Sequence, residues 1–226
     1  MARQAAKSTK TKTKTKSTVK KTTKKVVKKE QSPALTYLEI AKKSVAASLL
    51  IGLGNYALLK LGMPLGPFLF AFGLLGVCVM GANLFTGKCG FLFGDKIKPL
   101  HLLTILAVNL LAGWLIGLAF SVCDASIVEA ARAKVASWDI SWSFFIRAIL
   151  CGAIMYLAVA IYRKGSPLGI LFGVPLFIFC GFQHCIANII TLGVAATWDW
   201  SVLIAVLGNF IGSLAVWWLL PLEKKK

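Results

Sequence analysis

Residues 180–188 read Cys-Gly-Phe-Gln-His-Cys-Ile-Ala-Asn and interrupt an apolar stretch that runs from residue 168 to 193. A second interruption, residues 81–90, reads Gly-Ala-Asn-Leu-Phe-Thr-Gly-Lys-Cys-Gly and lies in the apolar stretch that begins at residue 66. Backbone that leaves a helix at membrane depth is tolerated only inside protein or beside water, because an unpaired amide in lipid costs several kcal/mol. The two interruptions therefore predict a pore or cavity, with Thr86 and His184 as its polar groups.

On either side of these interruptions, the chain beyond its first residues divides into six apolar stretches. Each is near the ~20 residues that a helix needs to cross ~30 Å of hydrocarbon. Of the 226 residues 58% are hydrophobic and only 15% are charged, too few to cover the surface of a soluble enzyme. We therefore predict an all-α membrane protein with six transmembrane helices at about 34–60, 66–82 with a continuation to 94, 99–122, 141–162, 168–193 and 201–221.

The two halves of the apolar region match one another at an offset of 100 residues. A three-span unit that is repeated must enter the membrane from the opposite side the second time. We expect two inverted three-helix repeats with broken helices 2 and 5, and a site where the breaks meet near the midplane. The matching pairs are Gly52 with Gly152, Tyr56 with Tyr156, Gly81 with Gly181 and Asn109 with Asn209.

The first 31 residues have a different composition. They carry twelve Lys and Arg against Glu30 alone, and so +11 of the formal net charge of +18. Such a segment cannot bury enough apolar area to offset its chain entropy. We predict a disordered basic tail over residues 1–31, a six-span channel domain over 32–222 and a short basic C-terminus over 223–226.

The positions of Lys and Arg in the short connections predict the orientation in a cell membrane, inner or plasma. The positive-inside rule places the basic tail, Lys96, Lys98 and Arg163 on the cytoplasmic side, together with the C-terminus. Both termini are thus expected to be cytoplasmic. The long connection between the third and fourth spans then lies outside, and residues 126–134 there are expected to form a short surface helix.

The two interruptions resemble the motifs of the formate/nitrite transporter family, which carries small monovalent anions of weak acids. Gly81–Thr86 is similar to the family's small-x-x-Leu-Phe-Thr loop, and Gly181–Asn188 is similar to its Gly-Phe-Glu-His-Ser-x-Ala-Asn motif. The resemblance covers roughly residues 34–221. It departs from the family at Gln183, where most members have Glu, at Tyr156, where the well-known formate channels have Asn, and at Ile140, where they have Lys.

The resemblance implies a homopentamer in which each aquaporin-like protomer has its own pore. It implies substrate-pore residues His184, Thr86, Gln183, Asn188, Asn109 and Asn209. It also implies constrictions formed by Phe70, Leu74, Leu84, Phe85 and Phe177. For Asn109 and Asn209 the residues leave two roles open, support of a broken backbone or contact with substrate, and His184 and Thr86 have packing roles as alternatives.

The expected function is a channel that moves an anion plus a proton past His184 as the neutral acid, because a bare anion crosses an apolar ring at a cost of many kcal/mol. Its partners are then a small anion such as formate, nitrite or hydrosulfide, protons and membrane lipid. Six cysteines form no C-x-x-C pair and no nucleotide-binding loop is present, so we expect no metal, no cofactor and no enzymatic activity.

The basic tail supports a different class of function. In this alternative the protein is a membrane-anchored interaction protein whose tail binds anionic lipid or nucleic acid, nucleic acid being the less favoured partner. A plain solvated linker is a further interpretation of the same residues. The paired interruptions with Thr86 and His184 favour the channel, because an anchor does not need them.

Overall fold

The structure, a computed structural model, describes residues 33–221. Over these residues it has eight α-helices, one short 3-10 helix and no β-strand, which confirms the all-α prediction. The basic tail 1–31 and residues 223–226 lie outside the described residues. The helices are α1 (Pro33–Leu61), α2 (Leu65–Val79), α3 (Pro99–Cys123), α4 (Ser126–Ala136), α5 (Trp142–Arg163), α6 (Leu168–Phe179), α7 (Cys185–Val194) and α8 (Ser201–Leu219), with the 3-10 helix at Cys89–Phe91.

Four of the helices within residues 33–221 are long and apolar enough to cross a membrane. These helices, α1, α3, α5 and α8, contain 29, 25, 22 and 19 residues. Even α8 is about 28 Å long, close to the hydrocarbon thickness of about 30 Å. They account for four of the six predicted spans, whereas shorter helices occupy the two stretches that contain the interruptions.

The shorter helices α2 and α6 end in the same way. Gly81 and Gly181 follow their last turns with φ of +63° and +67°, a left-handed conformation that glycine adopts without a steric penalty. In each case the next residue donates its backbone N–H to the carbonyl five positions earlier, at 3.0 Å after α2 and 2.9 Å after α6. Both helices therefore end in a Schellman motif, at equivalent positions of the two halves.

Beyond these glycines the two halves differ. After Gly81 the chain forms turns and the 3-10 helix, whereas after Gly181 it enters α7, a regular helix of 10 residues. Every residue of α7 is buried, and α7 packs against α1, α3, α4 and α8. Unlike the long helices, which expose apolar side chains, α7 is enclosed by other helices and lies in the core.

Glycines allow the helices around this core to approach closely. A Cβ at Gly54 of α1 would lie 2.8 Å from the Phe70 carbonyl oxygen of α2, and one at Gly169 of α6 would lie 2.7 Å from the Ala158 carbonyl oxygen of α5. Real Cβ atoms do not come so near to a carbonyl, so these contacts require a residue without a side chain. They hold α2 against α1 and α6 against α5, while α2 and α6 pack on each other.

The connection between α3 and α5 contains α4, which matches the helix that we predicted from residue 126. Ile127 and Ala131, one turn apart, are its buried residues. At its start, Asp124 accepts a hydrogen bond from Lys60 Nζ at 2.8 Å and another from the Ser126 backbone N–H at 2.9 Å. These bonds hold the pKa of Asp124 well below its usual range, and the bond from Lys60 contributes the most. They tie the start of α4 to the end of α1.

Candidate functional site

The two interruptions meet at one hydrogen bond. Thr86 Oγ1 and His184 Nε2 lie 2.8 Å apart although the residues are 98 positions apart in the sequence. Both side chains are buried, with 1% of each exposed. The structure thus brings together the two polar groups that the sequence placed in separate breaks.

Hydrogen bonding determines which nitrogen of His184 carries the proton. His184 is the N-cap of α7, and its Nδ1 accepts the backbone N–H of Ala187 at 3.0 Å. A backbone N–H can only donate, so Nδ1 carries no proton and the neutral ring is protonated at Nε2. Nε2 therefore donates to Thr86 Oγ1, and the Thr86 hydroxyl proton takes no part in this bond.

Asn109 and Asn209 hold the backbone of the breaks through equivalent bonds. Asn109 Oδ1 accepts the Phe85 N–H at 2.8 Å, and its Nδ2 donates to the Asn83 carbonyl at 3.1 Å. Asn209 makes the same two bonds 100 positions later, to the N–H of residue 185 at 2.9 Å and the carbonyl of residue 183 at 2.8 Å. Both asparagines are fully buried. Of the two roles that the sequence left open, this geometry supports the structural one.

Two cavities approach the Thr86–His184 bond. One, which we call the Lys134 cavity, has a volume of about 170 Å³, and the other, the Lys88 cavity, has a volume of about 110 Å³. Residues lining the Lys134 cavity include Phe70, Lys134, Arg147, Phe177, Gln183, His184 and Asn188. Those lining the Lys88 cavity include Leu74, Cys78, Gly81, Leu84, Gly87, Lys88 and Arg163.

The two cavities lie toward opposite ends of α5. Arg147, near the start of α5, lines the Lys134 cavity, and Arg163, its last residue, lines the Lys88 cavity. At 1.5 Å per residue these positions are about 24 Å apart along the helix axis. His184 lines the Lys134 cavity, whereas residues close to Thr86 in the chain line the Lys88 cavity. The two residues of the Thr86–His184 bond thus lead toward different cavities, His184 directly and Thr86 through its chain neighbours Leu84 and Gly87.

Both cavities are lined by cations, and neither is lined by an aspartate or a glutamate of the described residues. Lys134 is half-buried, and its loss of hydration lowers its pKa to about 8. Arg163 binds both carboxylate oxygens of Asp95, at 3.1 and 2.8 Å, and lies 3.6 Å from the centre of the Phe91 ring. The positive charge of the Lys88 cavity is thus partly neutralised by Asp95, while no carboxylate among residues 33–221 forms an ion pair with the cations of the Lys134 cavity.

Four of the five predicted constriction residues line the two cavities, two in each. Phe70 and Phe177 line the Lys134 cavity, where their rings meet edge to face with centroids 5.9 Å apart. Phe177 also stacks on the His184 ring at 5.7 Å. Leu74 and Leu84 line the Lys88 cavity. Buried apolar side chains therefore border the polar bond from both sides.

Three other residues singled out in the sequence line neither cavity. The Phe85 ring stacks on Phe210, with ring centroids 6.5 Å apart. Tyr156 donates its hydroxyl to the Leu220 carbonyl at 2.9 Å. Ile140 is 52% exposed. The rings of Phe85 and Tyr156 are therefore directed to α8 and to the residue that follows it.

Gln183 and Asn188 bond to each other beside His184. Asn188 Nδ2 donates to Gln183 Oε1 at 2.9 Å, and Gln183 Nε2 donates to the Gly181 carbonyl at 3.3 Å. Both residues line the Lys134 cavity. Because the Gln183 amide is neutral, the wall next to His184 has no negative charge at this position.

The four cations that line the cavities were not predicted as site residues. Arg147 had a signal in the sequence, since a charge within an apolar span, here about one and a half turns from its start, is rare and marks functional positions. Lys88 lies within the first break itself. Lys134 had no local signal, because its place beside His184 depends on the packing of α4 against α7.

A buried polar pair between α1 and α7 was also not predicted. Asn55 Nδ2 donates to Thr191 Oγ1 at 3.1 Å, and Thr191 donates to the Ala187 carbonyl at 3.0 Å. Both side chains are fully buried. The pair ties α1 to the helix that His184 caps. The signal available in the sequence was Asn55 itself, because an asparagine in the middle of an apolar span commonly bonds to a neighbouring helix.

Comparison with known proteins identifies related sequences and folds. A sequence model of the family described as Formate/nitrite transporter matches residues 16–222. A solved structure titled "FNT family ion channel" superposes with a TM-score of 0.67 at 23% identity, over 83% of this chain and 92% of that chain. Another, titled "Pentameric formate channel with formate bound", has a TM-score of 0.68 at 18% identity, over 83% of this chain and 98% of that chain. No curated protein sequence matches.

Proposed function

Because this chain belongs to the formate/nitrite transporter family, we propose that it conducts small monovalent anions of weak acids through a pore in each protomer. The family and the similar structures are transporters and channels, so the protein is a multi-pass membrane protein and not an enzyme, as the sequence predicted. The observation that carries the proposal is the Thr86–His184 bond, whose two residues lead toward two cationic cavities. The substrates belong to the formate, nitrite and hydrosulfide class.

The cavities supply the attraction for an anion. Lys134 and Arg147 on one side, and Lys88 and Arg163 on the other, raise the local anion concentration. Between the cavities the anion meets buried Phe and Leu side chains, where an unpaired charge costs many kcal/mol. The anion therefore crosses this part together with a proton, as the neutral acid.

His184 acts on the passing anion as a hydrogen-bond donor. Its neutral ring presents Nε2–H, and giving up that proton would leave an anionic ring in a buried site. A second proton on Nδ1 would break the bond from the Ala187 N–H that caps α7. The proton that accompanies the anion therefore comes from water in the cavities, while Nε2–H and the Thr86 hydroxyl orient the anion.

The architecture belongs to the same proposal. Together α6 and α7 form a broken fifth crossing, and α2 with the 3-10 helix forms a broken second crossing, which gives six crossings in two inverted repeats. The paired Schellman glycines and the paired asparagine bonds support this duplication. With both termini cytoplasmic, the Lys134 cavity opens outside and the Lys88 cavity opens inside.

Assembly as a homopentamer follows from the relationship and from the exposed surface. One similar structure is titled as a pentameric formate channel. Large apolar side chains on the long helices are exposed in the single chain, among them Leu111, Trp142 and Trp218. Neighbouring copies and lipid together would cover them, and each protomer keeps its own pore.

Uptake into proteoliposomes tests the proposal, with formate, nitrite and hydrosulfide supplied separately, with and without a pH gradient. His184→Asn is the informative variant, because Asn is a good N-cap that keeps the start of α7 but lacks the Nε2–H donor. We expect uptake to fall at least about tenfold. The matched control is His101→Asn, since His101 packs on the Tyr37 ring and lines neither cavity.

Two outcomes would contradict the proposal. Full uptake by His184→Asn would remove the role of His184 in transport. The absence of uptake of all three anions by the unaltered protein would refute the anion channel itself, and would direct attention to the basic tail at residues 1–31.

A further inference from the structure

The two arginines that line the cavities differ in what their guanidinium groups bind. Arg163 is paired side by side with both oxygens of Asp95. Arg147 donates its Nε to the Ser143 carbonyl at 3.4 Å, and among residues 33–221 no carboxylate forms an ion pair with it. Among the described residues, the two terminal nitrogens of Arg147 are therefore cationic donors without a carboxylate partner, as is the Lys134 ammonium in the same cavity.

The position of Arg147 directs these nitrogens toward the second break. A Cβ added to Gly181 would lie 3.9 Å from Arg147 Nη1, so the guanidinium lies over the glycine that ends α6. The Arg147 carbonyl accepts the Gln183 N–H at 3.4 Å. The side chain shares the Lys134 cavity with Gln183, His184 and Lys134, and an anion bound there is close to the Thr86–His184 bond.

A guanidinium recognises shape as well as charge. Its planar fork donates two parallel N–H bonds to two oxygens of one planar anion, whereas an ammonium group acts as a point charge. The Arg163–Asp95 pair has this geometry within the same protein. Formate and nitrite are planar and carry two oxygens, while hydrosulfide and chloride offer one acceptor atom and cannot form two parallel bonds with the fork.

We propose that Arg147 determines substrate class, holding a planar two-oxygen anion of the formate or nitrite type at both terminal nitrogens before the anion reaches His184. Lys134, which lines the same cavity, contributes a second charge. This inference rests on the proposed function and narrows it, since hydrosulfide and halide ions cannot form the pair of parallel bonds with Arg147. Arg147 thus belongs to the binding machinery of the Lys134 cavity.

The test measures the KM of uptake for formate and for hydrosulfide in proteoliposomes of Arg147→Lys. Lysine keeps the charge but loses the fork, so the ratio of the formate KM to the hydrosulfide KM rises about tenfold. The matched control is Arg132→Lys, because Arg132 lies on the exposed face of α4 and lines neither cavity. An unchanged ratio in Arg147→Lys would overturn the inference.

Failure of the inference about Arg147 can be distinguished from failure of the proposed channel function. If the unaltered protein takes up none of the anions, the channel proposal fails. If it takes up formate and hydrosulfide and Arg147→Lys leaves their KM ratio unchanged, only the role of Arg147 fails.

A binding measurement on the unaltered protein keeps the test independent of how Arg147→Lys folds. In detergent solution, formate raises the midpoint of thermal unfolding more than chloride does at the same concentration and ionic strength. Equal stabilisation by the two anions would overturn the inference.

Discussion

The first and second halves of the molecule use the same backbone device to present different side chains. Each break follows a glycine with positive φ and is held by a buried asparagine that bonds one N–H and one carbonyl. At positions that match at the offset of 100 residues, the first half has Leu84 where the second has His184. The second half has Ile186 where the first has Thr86. The duplicated scaffold therefore carries one hydroxyl and one imidazole, each with an apolar counterpart in the other half.

The backbone downstream of each break explains the difference between the two polar side chains. The second break opens α7, and a helix start needs an acceptor for its unpaired N–H groups, which His184 Nδ1 supplies. The first break continues in turns, so Thr86 caps no helix. The ring is consequently held by the fold in one tautomer, while the hydroxyl can rotate toward a ligand.

The largest expected effect is on stability, and it tests whether Asn109 and Asn209 hold their breaks equally. We call the two backbone bonds that each asparagine makes its clamp. Asn109→Ala and Asn209→Ala each leave a buried N–H and a carbonyl unpaired, so each lowers the free energy of unfolding by about 3 kcal/mol or more. Thermal unfolding of the purified protein measures this. The matched control is Asn83→Ala, since the clamp uses only the backbone carbonyl of Asn83. A loss in only one of the two variants would show that the halves are not equivalent.

A smaller effect is expected on the hydroxyl side of the polar bond. Thr86→Val removes the acceptor of the Nε2–H and the donor to substrate while keeping the shape, so formate uptake falls about tenfold. Thr86→Ser retains most of the uptake. Thr104→Val is the control, because Thr104 bonds the Leu100 carbonyl on its own helix. Equal uptake by the valine and serine variants at position 86 would show that the hydroxyl has no role.

The charge of the Lys134 cavity depends on pH. With a pKa of about 8, the Lys134 ammonium is charged below pH 8 and loses its charge as the pH rises through that value. Protons also become scarcer over this range, so loss of the Lys134 charge adds about a threefold decline in initial formate uptake between pH 7 and 9 to the decline that proton supply alone causes. Lys134→Gln removes this added decline, and Lys134→Arg moves it above pH 9. The same decline in Lys134→Gln would assign the effect to another group.

The smallest expected effect is on the KM for formate, and it tests whether the arginines of the two cavities differ because only Arg163 is paired. Asp95→Asn releases Arg163, so the KM for formate falls about twofold, while stability changes by less than about 1 kcal/mol because the pair is partly exposed. Asp139→Asn is the control, since Asp139 is exposed between α4 and α5. An unaltered KM in Asp95→Asn would mean that the charge of Arg163 does not reach the anion path.

Several parts of the fold and site could be predicted because their signals are local. Apolar stretches of helix length predict α1, α3, α5 and α8, and a glycine between an apolar run and a polar run predicts where α2 and α6 end. The offset of 100 residues pointed to Asn109 and Asn209 as partners of the breaks. The prediction that Thr86 and His184 share one site rests on the same duplication.

Other features depend on contacts between distant segments and could not be predicted. The stacking of the Phe85 ring on Phe210 of α8 is one of them, because these residues are far apart in the chain. The polar residues of α4 do not indicate that Lys134 shares a cavity with His184, or that burial there lowers its pKa. Nor does the presence of two arginines on α5 indicate that one meets a carboxylate and the other does not.

The long apolar helices, the two interruptions and the side chains that they carry can all be read from the amino-acid sequence, because hydropathy, glycine positions and repeat spacing act over one or two helix lengths. The tautomer of His184, the pairing of Asp95 with Arg163 and the cations that face each cavity emerge only once the chain has folded. They depend on hydrogen bonds and desolvation, which act over a few ångströms in space between residues up to about 100 positions apart in the chain.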